Sequence, residues 1–297
     1  TYAAIAKMNA DWFAGEPMRH WMADSAQQVP ALGEFIAGET FLWLTVWGGF
    51  LFDLLIAPLL LYKRTRAAAA VLSIGFHLTN AYMFNIGVFP WFMIANTTLF
   101  FKPDWALRAG QTGREVYEAV RSVGVPEGAV KDSWQEPPES RQRLVIASLI
   151  ALTLFEMFLP LRHHLYPGNV AWTEEGHLFS WRMKLRNKQG SAVFRIRDPA
   201  TGREWTERPD WFVTPRQARK LTCRPDLLLQ FAHILRDEYA KKEGADVEVY
   251  ADVFCSLNYR PRQRQVDPKV DLAKERASLW HYDWLIPLST PLRTNTK

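Results

Sequence analysis

The sequence predicts a multi-pass α-helical membrane domain followed by an extracytoplasmic α+β domain. Two observations lead there. Three long apolar runs lie before Pro160, and charge-rich sequence with mixed strand and helix periodicity fills the rest of the 297 residues. A bilayer core needs about 20 consecutive, mostly apolar residues in a helix. Thr40 to Tyr62 supplies 23 with one charge, Asp53. Ala67 to Phe101 supplies 35 with no formal charge, and Leu144 to Pro160 supplies 17 with only Glu156. Three such runs so close together are hard to bury in a soluble domain of this size. Composition narrows the rest. Two cysteines, Cys223 and Cys255, exclude a disulfide-rich scaffold and a cysteine-built zinc site, and allow one disulfide without requiring it. The net charge of +5 comes with no nucleic-acid motif, so it reads as membrane surface and cytoplasmic loops.

Taken in order, residues 1–14 read as the end of an apolar helix, which predicts further spans upstream; an amphipathic helix of a soluble fold is the alternative. The 40–62 run is a full span. Lys63, Arg64 and Arg66 follow it and place that turn in the cytoplasm by the positive-inside rule. The 35-residue run is too long for one span and short for two. Asn80, Asn85 and Gly87 near its middle predict a helix over 67–84, a break, and a return segment over 86–100. Such a break is tolerated only where protein or a cavity satisfies the backbone. Lys102, Arg108, Arg114, Arg141 and Arg143 make 102–143 a cytoplasmic linker, with a short surface helix over 112–123 and Pro137 and Pro138 before the third run. Residues 161–297 then lie outside, as do 15–38. Two domains follow from this topology, 1–160 in the membrane and 161–297 outside it.

The outer domain carries its own patterns. His177 to Leu185 alternates loosely and is a strand candidate, as is Ala192 to Arg197. Pro215 opens a helix over QARKL. Asp226 opens the apolar-periodic run that stops before Gly244, with signals at both ends. Val247, Val249, Ala251, Val253 and Cys255 share one parity and predict a strand. Arg260 to Lys269 is a basic run, read as a solvated turn in preference to a receptor for an acidic peptide or a lipid headgroup.

Candidate chemistry concentrates in a few side chains. Lys7 lies in an apolar context. A lysine desolvated near a membrane holds its proton less firmly, and a neutral amine is a usable base. The structural alternatives are snorkelling to the interface or pairing with Asp11, one turn away. His77 is the one ionisable side chain of the 35-residue run and shares a helix face with Asn80 and Phe84. An ionisable group inside a bundle points to a site; a structural interhelix hydrogen bond is the alternative. Asp53 and Glu156 are further intramembrane candidates, either of which could pair with His77 or Lys7. Arg19 and His20 read as an interfacial anchor or a site pair. His163 and His164 follow the last run, and as neighbours they do not form a joint metal site. No metal-ligand spacing, dinucleotide fingerprint, phosphate loop or nucleophile elbow occurs, so no metal is expected.

Several separated blocks are similar to one family. FHLTNAYMFNIGVFPWFMIANTTLFF (76–101) resembles a membrane segment of the vitamin K-dependent gamma-carboxylase family. AKMNADW (6–12) resembles its catalytic lysine segment, and MRHWM (18–22) the segment after it. PLRHHLYPGNVAWTEEGHLFSWRMKL (160–185) and VYADVFCSLNYRPRQRQVDPKVDLA (249–273) resemble its extracytoplasmic part. The blocks fall in family order and leave out mainly the 102–143 linker.

The resemblance implies a lyase that oxidises reduced vitamin K, a naphthohydroquinone, with O2. It couples this to removal of a gamma-proton from a peptide glutamate and addition of CO2. It implies Lys7, His77 and His163 as catalytic residues: Lys7 the base toward the quinol, His77 a partner of the quinone oxygen or of an oxyanion, His163 a further histidine at the outer boundary. It implies Asn80, Phe84, Arg19 and His20 as cofactor-contacting residues, with Arg19 able to orient a carboxylate by two parallel hydrogen bonds. The expected partners are a glutamate-containing peptide or protein, the quinone and membrane lipid, with no nucleic acid. Animal members are longer, with spans before the lysine segment and a disulfide joining membrane and outer parts; neither feature has an assigned counterpart here. The alternatives are a quinol-oxidising relative without peptide carboxylation, or a non-catalytic membrane binding or transport protein.

Overall fold

The computed structural model describes residues 2–28, 30–84, 86–102, 118, 138–244 and 246–292. The expected surface helix over 112–123, apart from Glu118, and Asn85, Arg108, Arg114 and Pro137 lie outside the described residues. By packing, the chain divides into one unit of Leu51–Glu156 and a second of Tyr2–Phe50 with Met157–Lys297. This division reflects what packs together, whereas the 1–160 and 161–297 division concerns topology across lipid.

The helical region begins with short helices α1 (Tyr2–Lys7), α2 (Ala10–Phe13), α3 (Met18–Gln28) and α4 (Gly33–Ala37). The Asn9 side chain caps α2 by accepting from the Trp12 amide at 3.0 Å. Helix α5 (Glu39–Leu61) covers the first apolar run. Its C-terminal carbonyls are satisfied from the basic turn: Arg66 donates to the carbonyls of Leu60 and Leu61, and Thr65 to that of Leu59. Helix α6 (Arg66–Met83) follows. The chain then breaks, turns through Gly87 with φ 62°, and resumes as α7 (Phe89–Thr97) with Pro90 in its first turn. The helix, break and return expected between 67 and 100 are therefore present. The Ser73 and Thr97 hydroxyls, 3.0 Å apart, join α6 to α7.

Helix α8 (Glu139–Phe158) has no buried residue, and its Leu, Ile and Phe side chains are exposed on every side. An α-helix apolar all round needs an apolar solvent. Glu39–Leu61 and Glu139–Leu165, the latter including the 3-10 turn Leu159–Leu165, are two helices long and apolar enough to cross a membrane.

Past that turn comes a mixed α/β domain. Its antiparallel sheet has the order β2-β1-β3-β4, with β1 Lys188–Arg197, β2 Glu204–Glu207, β3 Glu248–Leu257 and β4 Gln263–Arg264. β1 and β3 pair over their whole length, from Lys188 opposite Leu257 to Arg197 opposite Glu248. The expected parity holds: Val249, Ala251, Val253, Cys255 and Leu257 all face the core. Short helix α9 (Val170–Thr173) precedes the sheet. α10 (Pro215–Leu221) starts on a Thr214–Gln217 capping box, and α11 (Pro225–Glu243) ends on Gly244 in the left-handed conformation. α11 lays Leu228, Phe231, Ala232 and Leu235 on the sheet, with Phe231 edge-on to Phe194 at 4.9 Å. Cys223 and Cys255 form a buried disulfide that fastens the segment between α10 and α11 to β3. Gly190 is required beside it, since a Cβ there would lie 2.6 Å from Cys223 Sγ and 2.2 Å from the Phe254 carbonyl oxygen.

Two expectations need correction. His177 to Leu185 is not a strand but a run of turns, with Phe179, Trp181 and Lys184 in left-handed conformations that no ladder accommodates. Arg260 to Lys269 is not simply a solvated turn. Arg260 is buried in an ion pair and Gln265 is fully buried, donating to the Trp172 carbonyl at 2.8 Å.

Candidate functional site

Lys7 ends α1. Its Nζ lies 5.2 Å from the centre of the Trp12 ring, and Gly49 of α5 stands alongside, where a Cβ would come within 3.9 Å of Lys7 Cε. Trp12 is buried and fixed by its indole N–H donating to the Val46 carbonyl at 3.1 Å. The lysine thus has an aromatic face on one side and a side-chain-free stretch of helix on another.

Asp11, named in the sequence as the alternative partner of Lys7, binds elsewhere. Arg260 grips it through both guanidinium ends, Nη1 to Oδ2 and Nη2 to Oδ1, each at 2.7 Å. Asn258 Nδ2 donates to Oδ2 at 2.6 Å. All three residues are buried. A bidentate pair with a third donor is the arrangement that a buried carboxylate requires. Asn258 and Tyr259 have φ of 49° and 61°, so the chain turns sharply as it leaves β3 and brings Arg260 to bear. Asn187 holds both, donating to Asn258 Oδ1 from its amide and to the Tyr259 hydroxyl from its side chain.

The Arg19–His20 pair lies on α3 in the same unit. His20 stacks on Tyr259 with ring centres 3.5 Å apart, and its Nε2 is 3.5 Å from Glu16 Oε2. Arg19 pairs with Glu39 and lies 3.8 Å from Glu16. Burial drives the Glu16 carboxyl up to about 7, against the opposing pull of Arg19. Burial also lowers the affinity of His20 for a proton.

His163 is buried in the 3-10 turn. Its Nδ1 lies 2.9 Å from the Pro160 carbonyl, so Nδ1 carries the proton and Nε2 accepts from Arg182 at 3.2 Å. Gly176 packs on the His163 backbone so closely that a Cβ would lie 2.7 Å from His163 Cα. Beyond it, buried Glu174 takes Arg186, Lys188 and Arg224 at 2.7, 3.1 and 3.6 Å. Burial opposes ionisation of Glu174, but Lys188 and Arg186 outweigh it and hold the carboxyl below its ordinary value. Burial and the Arg186 charge push His177 down to about 4.

His77 lies in the other unit. It is buried on α6 with rings of Phe76, Phe52 and Phe89 at 5.3, 5.8 and 6.3 Å, and Nδ1 has no hydrogen-bond partner among the described residues. Asn80 is half-buried and Phe84 buried along the same helix. A cluster of aromatic rings around one orphan nitrogen suits a flat aromatic group bearing an oxygen. Asp53 is half-buried and Glu156 exposed. Lys7, Arg19, His20 and His163 thus belong to one unit and His77, Asn80 and Phe84 to the other. The sequence reading missed Glu16, Asn258, Tyr259 and Arg260. The one available signal was that the basic run beginning at Arg260 lies three residues past the end of β3, a strand with one buried face.

Residues 141–291, just over half of the chain, match the family model described as vitamin K-dependent gamma-carboxylase, lumenal domain. The chain belongs to the vitamin K-dependent gamma-carboxylase family. Residues 1–105 match a second model, described as HTTM domain. No solved structure matches the chain. Membership in the carboxylase family supports a quinone-utilising membrane enzyme. The Cys223–Cys255 bond agrees with an extracytoplasmic, oxidising location for the matched domain.

Proposed function

We propose that the chain is a membrane carboxylase acting on peptide glutamate, with reduced vitamin K, O2 and CO2 as its co-reactants. The observation that carries this reading is the placement of Lys7 against Trp12 and beside Gly49, in the same unit as the domain that matches the carboxylase family. The topology proposed with it is multi-pass, with 1–160 in the membrane, 102–143 cytoplasmic and 161–297 outside.

In this reading Lys7 Nζ accepts a proton from a quinol hydroxyl, beside the Trp12 ring that flanks it. Oxidation of the bound naphthoquinol by O2 supplies the driving force for removing an unactivated gamma-proton. Within its own unit, His77 offers an Nδ1 without a partner among the described residues, with Asn80 and Phe84 along the same helix, as a group suited to a quinone oxygen. Arg19, now engaged with Glu39 and Glu16, orients a substrate carboxylate by exchanging partners. His163, fixed as the Nδ1–H tautomer by Pro160, presents Nε2 as an acceptor.

The test reconstitutes the protein in vesicles with reduced naphthoquinone, labelled bicarbonate and a glutamyl peptide. Label fixed in the peptide together with quinone epoxide is the expected result. Epoxide without label would replace the reading by quinol oxidation alone. Lys7→Ala should lower both products by at least about a hundredfold, the usual size of general-base catalysis, and leave the melting temperature nearly unchanged. Unaltered turnover in that variant removes Lys7 from the mechanism.

A further inference from the structure

We propose that two loops of the outer domain, 177–184 and 278–281, form a ledge that rests in the interfacial layer of the bilayer, with lipid as its partner. This rests on the membrane reading of α8 and goes beyond it, because the ledge belongs to the domain outside the membrane. Large apolar side chains crown both loops: Phe179 is 70% exposed, Trp181 54%, Leu279 79% and Trp280 82%. Phe179 and Trp181 hold φ of 63° and 55°, a conformation costly for bulky side chains. The fold therefore spends conformational energy in a loop that carries greasy groups outward. A water-facing surface has no use for such a patch.

The two loops are pinned to one place. The Tyr166 hydroxyl donates to the Leu279 carbonyl at 2.5 Å. Glu175 accepts from His281 Nδ1 at 2.9 Å and from the Tyr282 amide at 2.8 Å. A cleft of about 170 Å³ has Arg162, Tyr166, Leu178, Leu279 and Trp280 on its walls. Both loops therefore gather on the 159–166 turn, which directly follows α8. If α8 lies in lipid, that turn marks the water boundary, and the ledge lies level with it. Indole rings at headgroup depth with flanking cations, here Arg162 and Lys184, match the chemistry of that layer. Lipid is favoured over a protein occupant because the patch follows in the chain a helix that has no buried residue and is long and apolar enough to cross a membrane.

Depth-dependent quenching tests it. The two native cysteines are bonded to each other, so an introduced cysteine is the single reactive thiol. Phe179→Cys, Trp280→Cys, Leu152→Cys and Ala200→Cys are each labelled with an environment-sensitive fluorophore. The full chain is then placed in phosphatidylcholine–phosphatidylglycerol vesicles carrying a shallow nitroxide lipid, a deep one, or none. The expected result is several-fold stronger quenching at 179 and 280 than at 200, greater with the shallow quencher, and strong deep quenching at 152. Quenching at 179 and 280 no greater than at 200, with 152 quenched, overturns the ledge and leaves the span intact. An unquenched label at 152 overturns the membrane reading and the ledge with it. Labels at 179 and 280 shielded from both lipid and aqueous quenchers show a protein occupant and also overturn the proposal.

Discussion

Arg260 and Asp11 illustrate how one contact can decide the state of two segments. Each charge is buried; Asp11 accepts from Arg260 and Asn258, and Arg260 also donates to the Leu257 carbonyl. Removing one partner leaves the other buried without compensation. Arg260→Met should therefore cost about 3–5 kcal/mol, seen as a lower midpoint in denaturant. Asp11→Leu in the same chain should recover part of that loss. Glu16 makes a different prediction. Burial pushes its folded carboxyl up to about 7, from an ordinary value of 4.5. Between those values the folded state binds more protons than the unfolded one, so its contribution to stability falls as pH rises through that window. The charged and titratable groups around it are Arg19, His20, Asp11 and Arg260. The wild-type melting temperature minus that of Glu16→Gln should fall from pH 4.5 to 7, because the opposing histidine contributions are common to both proteins and cancel. Neither contact was legible in the sequence. Asp11 offered itself locally to Lys7, and its real partner lies 249 residues away, beyond the reach of spacing rules.

Among the elements, β3 and α11 were readable because period-two and helical patterns report burial on one face. The stretch 177–185 misled for the same reason. Its loose alternation copies a strand, but left-handed residues and the glycine at 176 commit it to turns, and neither feature shows in hydrophobic pattern. The disulfide lies between these cases: the cysteines were visible and their proximity was not. It closes 32 residues between the α10–α11 segment and β3. Replacing both cysteines by alanine should lower stability by about 2–5 kcal/mol, measured as a fall in the melting temperature of the outer domain. A reductant should shift the wild type the same way and leave the double variant unmoved.

For the molecule as a whole, hydrophobic length carried most of the information. The two helices that satisfy the spanning criterion were both visible as runs of letters, because lipid imposes a length that no packing detail can disguise. Assignment of site residues to packing units was not visible, since it depends on contacts between distant segments. α8 permits a direct test. Leu152→Arg places a charge midway along a helix that has no buried residue. Membrane insertion of this helix should become less favourable by about 2.5–3.5 kcal/mol, measured by glycosylation-site mapping in microsomes. Unchanged insertion would mean that α8 does not cross the bilayer.

The ion pair between Asp11 and Arg260 also sets an order of events during biosynthesis. A ribosome delivers Asp11 first and Arg260 only 249 residues later. Until that later residue has been added, the acid next to the lysine segment lacks its counter-charge. A polypeptide not yet grown past Arg260 therefore cannot complete this corner of the protein.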